Sequence, residues 1–242
     1  MPSALELPPD EGVVELDADP AGRSPTLAHQ VYRALEARIL DGDWLPDTRV
    51  SLRSLATSLD TSMQPVREAV GRLVAASALE MRPGRAIRVP PMTRELADEI
   101  WSMRLLLEGE AAARFAARRR PEEARALFEH TRALRRLRYG LDLKPTMQAL
   151  MAWIGDLAQG CGSPILIEEI LRLRLRFAPF FAEALSVEVP HDEEFLQFTV
   201  HIQDELVLAL EAGDAAAARH LRCADMRSFQ RYLYSRKGWS LA

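Results

Sequence analysis

From residue 24 onward the apolar positions fall three and four apart. Leu27, Val31, Leu35 and Ile39 recur every four residues, which lines them along one face of a helix, with Ser24 set to cap it, Pro25 at its first position and Asp41-Gly42 at its end. After the turn-rich run GDWLPDT (42–48), Ser51 is placed to cap a short helix in which Leu52, Leu55, Ala56 and Leu59 hold one face. Val66, Ala69, Val70 and Leu73 repeat that spacing fourteen residues later. Between the two, Asp60-Thr61-Ser62 makes a brief turn, with Ser62 as a cap and Pro65 tolerated in the first turn of the next helix. Beyond Ser77 the period drops to two. Leu79 and Met81 alternate with Glu80 and Arg82, Pro83-Gly84 turns the chain, and Ile87 and Val89 flank Arg88, the pattern of a small hairpin.

Three short helices, a three-residue turn before the third, and a two-stranded hairpin are the layout of a winged helix-turn-helix over residues 24–90, whose third helix enters a major groove. Pro90-Pro91 closes that block. From Thr93 only helical periods appear, opened by Leu96, Ile100, Met103 and Leu107. Pro121, Pro145, Pro164 and Pro190 mark helix starts, and Gly213-Asp214 ends the fifth helix and caps the sixth. The expected fold class is therefore mostly α: an N-terminal winged helix-turn-helix followed, over residues 91–242, by a six-helix antiparallel bundle. Pro179, inside the fourth helix, predicts a kink near Phe177 to Phe181.

Charge sharpens this division. The 242 residues carry a net charge of -4, but residues 1–22 hold six acids and no base, residues 23–92 have a surplus of three arginines, and the remainder is nearly neutral. An acidic, proline-bearing stretch without apolar period predicts a disordered tail over residues 1–23, and the basic block points to a polyanionic partner. Composition is that of an ordinary globular chain, 48% hydrophobic and 27% charged. Cys161 and Cys223 are too far apart for a paired-cysteine zinc motif and fit a reducing compartment. With neither a basic-apolar leader nor a long uncharged apolar stretch, the expected location is the cytoplasm, nucleoid-associated when bound, and no membrane partner is expected.

The segment TSMQPVREAVGRL (61–73), with SLRSLATSL before it and LEMRPGRAIRV after it, resembles the GntR family of bacterial transcription regulators, whose recognition helix reads approximately SRTPVREALRRL. The stretches IWSMRLLLEGEAAARFAA and ALEAGDAAAARHL are similar to the all-helical effector domain of the FadR subfamily, so the resemblance spans about 215 residues. It implies a homodimeric regulator that binds a palindromic double-stranded operator and answers to a small metabolite, commonly a carboxylic acid. Ser62, Pro65, Val66, Arg67, Glu68 and Ala69 agree with the family helix. Met63 stands where the family has arginine, and Gln64 where it has threonine. A guanine reader or phosphate clamp is thereby lost, and a group suited to adenine takes its place. The resemblance also assigns Arg53 to DNA and the turn Gly84-Arg85 to the wing tip. Arg72 and Arg88 join Arg53 and Arg85 as expected phosphate contacts.

Many effector domains of this subfamily bind a metal through one Asp and three His. Counted from the turn GCGSP and from LEAGD, the resemblance puts Leu150, Ile154, Gln203 and Asp225 at those four positions, and an aliphatic pair cannot ligate a cation. No metal and no cofactor are expected. Gln203 and Asp225 still fall on inward helix faces, where an amide and a carboxylate need partners. Arg104 is the expected partner, for them or for a ligand carboxylate, with Arg172 and Arg176 behind it.

His201 lies among Gln197, Asp204 and Glu205, on a polar face. The run Arg118 to Arg120 reads as a helix C-terminus complementing its dipole, and the cysteines as small buried hydrophobes. Two readings of the helical part stay open: a repressor released by an effector bound without metal, and a DNA-binding dimer with no effector. An enzyme carrying an accessory DNA-binding domain lacks support, because the chain has no nucleophile-base set, phosphate loop or cluster of inward carboxylates.

Overall fold

The computed structural model describes residues 26–81, 86–137, 142–186 and 193–240. The acidic stretch 1–23, Ser24, Pro25, Gly84, Arg85 and Pro190 lie outside these. Helix α1 (Leu27–Leu40) is capped by Thr26, whose hydroxyl accepts from the His29 amide at 3.2 Å. The cap thus falls two residues beyond Ser24, at the last hydroxyl before the apolar period begins.

Strand β1 (Arg49–Ser51) runs directly into α2 (Leu52–Ser58), which is capped by a reciprocal Ser51–Ser54 box. Helix α3 (Met63–Ala75) follows with Ser62 at its N-cap, although the Ser62 side chain makes no capping bond. Strands β2 (Glu80–Met81) and β3 (Ala86–Arg88) complete an antiparallel sheet of order β1-β3-β2, with Arg49 opposite Arg88 and Val50 opposite Ile87. The hairpin pattern predicts two strands; β1 is a third, too short for its alternation to register in the sequence. Val31, Leu35, Ile39, Leu55, Val66, Val70, Leu73 and Ile87 form the core of this block.

The rest is helical: α4 (Arg94–Arg118), α5 (Pro121–Ala126), α6 (Phe128–Arg136), α7 (Leu143–Gly160), α8 (Pro164–Leu185), α9 (Glu193–Ala212) and α10 (Ala215–Arg236). These are seven helices among the described residues where the punctuation predicts six. The helix expected from Pro121 divides at Leu127, whose amide bonds to Ala124 while its carbonyl accepts from His130. Both bonds span three residues rather than four, which tightens the backbone where α5 ends and α6 begins. Pro179 sits inside α8, and the helix runs on through it to Leu185. No helix among the described residues is long and apolar enough to cross a membrane.

Helix α4 is the axis of the bundle, packed by α7, α8, α9 and α10. Its run of Ala111, Ala112, Ala113 and Ala116 is buried, and such small side chains let neighbouring helices approach closely. Arg118 at its last turn donates to the Gly160 carbonyl at 2.6 Å. The two cores meet through α8. Leu175 belongs to the core of the winged block, while Phe177 and Phe181, half a turn and a turn and a half further on, belong to the core of the bundle.

Candidate functional site

The outer face of α3 carries Met63, Gln64, Arg67 and Arg72, all exposed, while Pro65, Val66, Ala69, Val70 and Leu73 are buried behind them. That division follows from the helical period, which sets Arg67 and the five buried residues on opposite sides. Arg53 on α2 and Arg67 are exposed, and their side chains make no ion pair or hydrogen bond among the described residues. Gln64 Nε2 donates to Glu68 Oε1 at 2.8 Å, and the Arg72 guanidinium lies 4.1 Å from the centroid of the Tyr32 ring. Arg88, expected on phosphate, is instead taken up within the sheet. It pairs with Asp47 and, at 3.5 Å, with Glu80, and its side chain is only 16% exposed.

Within the bundle, Arg104, Leu150, Ile154, Gln203 and Asp225 line one cavity, together with Trp101, Trp153, Phe181, Arg222, Met226 and Phe229. The cavity is about 20 Å³ in volume, room for a water molecule and little more. Arg172 is not part of the wall. It is exposed on α8 and pairs with Glu168 at 2.8 Å and Glu169 at 3.7 Å, because its position on the helix faces away from α4. Arg176 is also absent from the wall.

The partners of Arg104 and Asp225 differ from those expected. Arg104 Nε donates to Glu108 Oε1 at 2.6 Å, one turn along α4. Its guanidinium is boxed by rings, 4.6 Å from the Trp101 centroid, 5.0 Å from Phe177 and 5.4 Å from Phe181. Asp225 is held by Arg222, Nη1 to Oδ2 at 2.5 Å, and the same arginine reaches across to Glu108 through Nη2. A chain Arg104–Glu108–Arg222–Asp225 thus links α4 to α10, and all four residues are buried. Sequence reasoning missed Glu108 and Arg222, although the i, i+4 and i, i+3 spacings of oppositely charged residues were visible.

Burial sets the electrostatics. It lowers the pKa of Arg104, against the pull of Glu108, and it raises that of Asp225 to about 6, against Arg222. It also acts upward on Glu108, where the two guanidiniums prevail and hold the carboxyl below its ordinary value.

These residues do not fit a metal. Leu150 and Ile154 offer no donor atom, and one carboxylate oxygen of Asp225 is committed to Arg222. Among the described residues no group of three or more His, Cys, Asp or Glu stands close enough to hold one. His201 is exposed, and His130 Nε2 meets Asp156 at 2.6 Å on the outer side of α7. Cys161 is buried, and burial raises its thiol pKa.

A family model described as bacterial regulatory proteins, gntR family, matches residues 27–89, and an FCD domain model matches residues 99–227. The chain belongs to the GntR family. It is 28% identical over 214 residues to the HTH-type transcriptional regulator McbR of Escherichia coli (strain K12), covering 86% of this chain and 93% of that protein. A probable D-xylose utilization operon transcriptional repressor of Paenarthrobacter nicotinovorans is 29% identical over 198 residues, or 81% of this chain and 83% of the relative. The solved structure of E. coli McbR/YncC matches at a TM-score of 0.80 and 27% identity, over 88% of this chain and 100% of the other. A GntR regulator from Rhodococcus sp. RHA1, at 22% identity, shares the fold with a TM-score of 0.67, over 86% of this chain and 97% of that one. This GntR-family chain is a DNA-binding transcription regulator rather than an enzyme, with a winged helix-turn-helix and an all-helical FCD domain.

Proposed function

We propose that this regulator binds a palindromic operator as a homodimer and acts in the cytoplasm as a repressor released by a small metabolite, which enters the FCD cavity without a metal. In this reading Ser62, Met63, Gln64 and Arg67 meet base edges and phosphates at the start of α3. Arg53 and Arg72 neutralise backbone charge, and Gly84 and Arg85 approach the minor groove. The domains run from residue 24 to 90 for the DNA-binding unit and from 91 to 242 for effector binding and dimerisation. One observation carries the coupling: α8 contributes Phe181 to the cavity wall and Leu175 to the core of the winged block. A ligand that shifts Phe181 therefore pushes on the element that supports α1.

The narrowness of the cavity favours a second reading, in which the wall is closed core and no effector exists. Selecting bound fragments from the source genome tests the first reading. The selected duplexes should bind far tighter than scrambled ones at moderate salt, and their protection should be two-fold symmetric. Equal affinity for both overturns it. Selected duplexes whose binding no metabolite mixture weakens favour the second reading.

A further inference from the structure

The charges that line the cavity are balanced by one carboxylate on the wall, Asp225, and one behind it, Glu108. Arg104 and Arg222 contribute two positive charges, Glu108 and Asp225 two negative ones, and each guanidinium touches a carboxylate. Another buried guanidinium, Arg174, lies outside the wall. It donates to the Met151 carbonyl at 2.7 Å, and the carboxylate acting on it most strongly is Glu36 of α1. A carboxylate entering this cavity would thus be a third anion facing two cations. It would have to displace Glu108 or Asp225 from its arginine, or carry in a proton, because an uncompensated charge is expelled from such surroundings.

The wall is not inert towards neutral groups. Arg104 Nη1, Arg222 Nε, Trp101 Nε1 and Trp153 Nε1 are buried donors without a hydrogen-bond partner among the described residues, and Gln203 Oε1 and Asp225 Oδ1 are unpartnered acceptors. All six belong to residues that line the cavity, alongside Leu150, Ile154 and Phe229. An uncharged carbonyl group satisfies donors of this kind without adding charge, and an N–H or O–H beside it satisfies the glutamine.

We infer that the cavity selects an uncharged molecule with a carbonyl acceptor and an adjoining donor on a compact aryl or alkyl body, and discriminates against carboxylates. The inference rests on reading the cavity as the effector site and names the chemistry of that effector. Met226, unbranched and flexible, is the wall residue most able to move aside for a body larger than water.

Benzamide, benzoate and benzamidine have the same shape and carry zero, negative and positive charge. Titrated into the full chain at pH 7.5 with melting temperature and calorimetry as readouts, benzamide should bind at least tenfold tighter than either ion. Benzoate or benzamidine binding as well as benzamide, or no binding by any of the three, overturns the inference. Glu108→Gln and Asp225→Asn each leave the network one positive charge in excess, and either should reverse the order in favour of benzoate. Retention of the benzamide preference by a folded variant also overturns it. Specific duplex binding on the same samples separates the two readings. A chain that binds selected duplex and ignores benzamide refutes the neutral-ligand inference alone. One that binds benzamide but no duplex specifically refutes the regulator reading and upholds the inference.

Discussion

Gly42 and Ala182 lie against each other so closely that a Cβ on the glycine would stand 2.8 Å from that of the alanine. The loop leaving α1 is thereby pressed onto α8, and Asp41 next to it accepts from Lys144 and Gln148 of α7, each at 3.2 Å. Gly42 also has φ +79, a left-handed conformation that favours glycine. Gly42→Ala should destabilise the protein by about 1–3 kcal/mol through strain and overlap. Urea unfolding checks this, and an unchanged midpoint would mean that the two domains are not pressed together there.

Arg67 projects from the exposed face of α3. Arg67→Ala should weaken binding to a selected operator by about 1–3 kcal/mol and relax base preference at one position. Arg53→Ala should instead weaken all duplexes alike and reduce the salt slope by about one. Anisotropy titrations against single-base operator variants distinguish the two. Uniform losses for both variants would assign Arg67 to the backbone.

Glu108 and Glu110 lie two residues apart on α4 and differ in burial. Glu108 joins two buried guanidiniums, so Glu108→Ala leaves uncompensated charge in the core and should cost about 3–5 kcal/mol. Glu110 pairs with Arg114 and Arg219 at the surface. Glu110→Ala should cost about 1 kcal/mol or less. Denaturant unfolding of the two variants side by side checks the contrast, and similar losses would refute it.

Burial raises Asp225 from its ordinary 3.8 to about 6, so the folded protein holds that proton more tightly than the unfolded chain does. The resulting stabilisation is complete below about pH 4 and is lost as the pH rises through about 6. Asp225→Asn has no proton to exchange. Wild type should therefore lose stability relative to the variant between pH 4 and pH 7, while Glu108 contributes to both proteins. A difference in unfolding free energy that stays constant over this range would contradict the raised value.

With aliphatic side chains at two of the four family ligand positions, the purified protein should contain no stoichiometric zinc, nickel or manganese. Its melting temperature should not move on treatment with a chelator. Elemental analysis and a thermal scan decide this, and stoichiometric metal whose removal lowers the melting temperature would refute it.

The amino-acid sequence by itself determined the order and type of most elements, because helical and strand periods and their caps are local, set within three or four residues. Ser51 announces α2 and Ser62 announces α3, and the motif around Arg67 carries the family. The same locality explains two departures: Ser24 and Thr26 are equivalent caps to a local rule, and β1 has too few residues for a period. Tertiary structure alone decided which polar groups meet inside the bundle. Local spacing turned Gln203 and Asp225 inward and offered Arg222 to Asp225 three residues away, but could not say that this pair would be buried facing α4. Nor could it say that Glu108, paired with Arg104 one turn away, also reaches Arg222 across 114 residues of chain. Buried charges choose partners by distance and desolvation after the helices have packed, and a sequence period contains neither quantity.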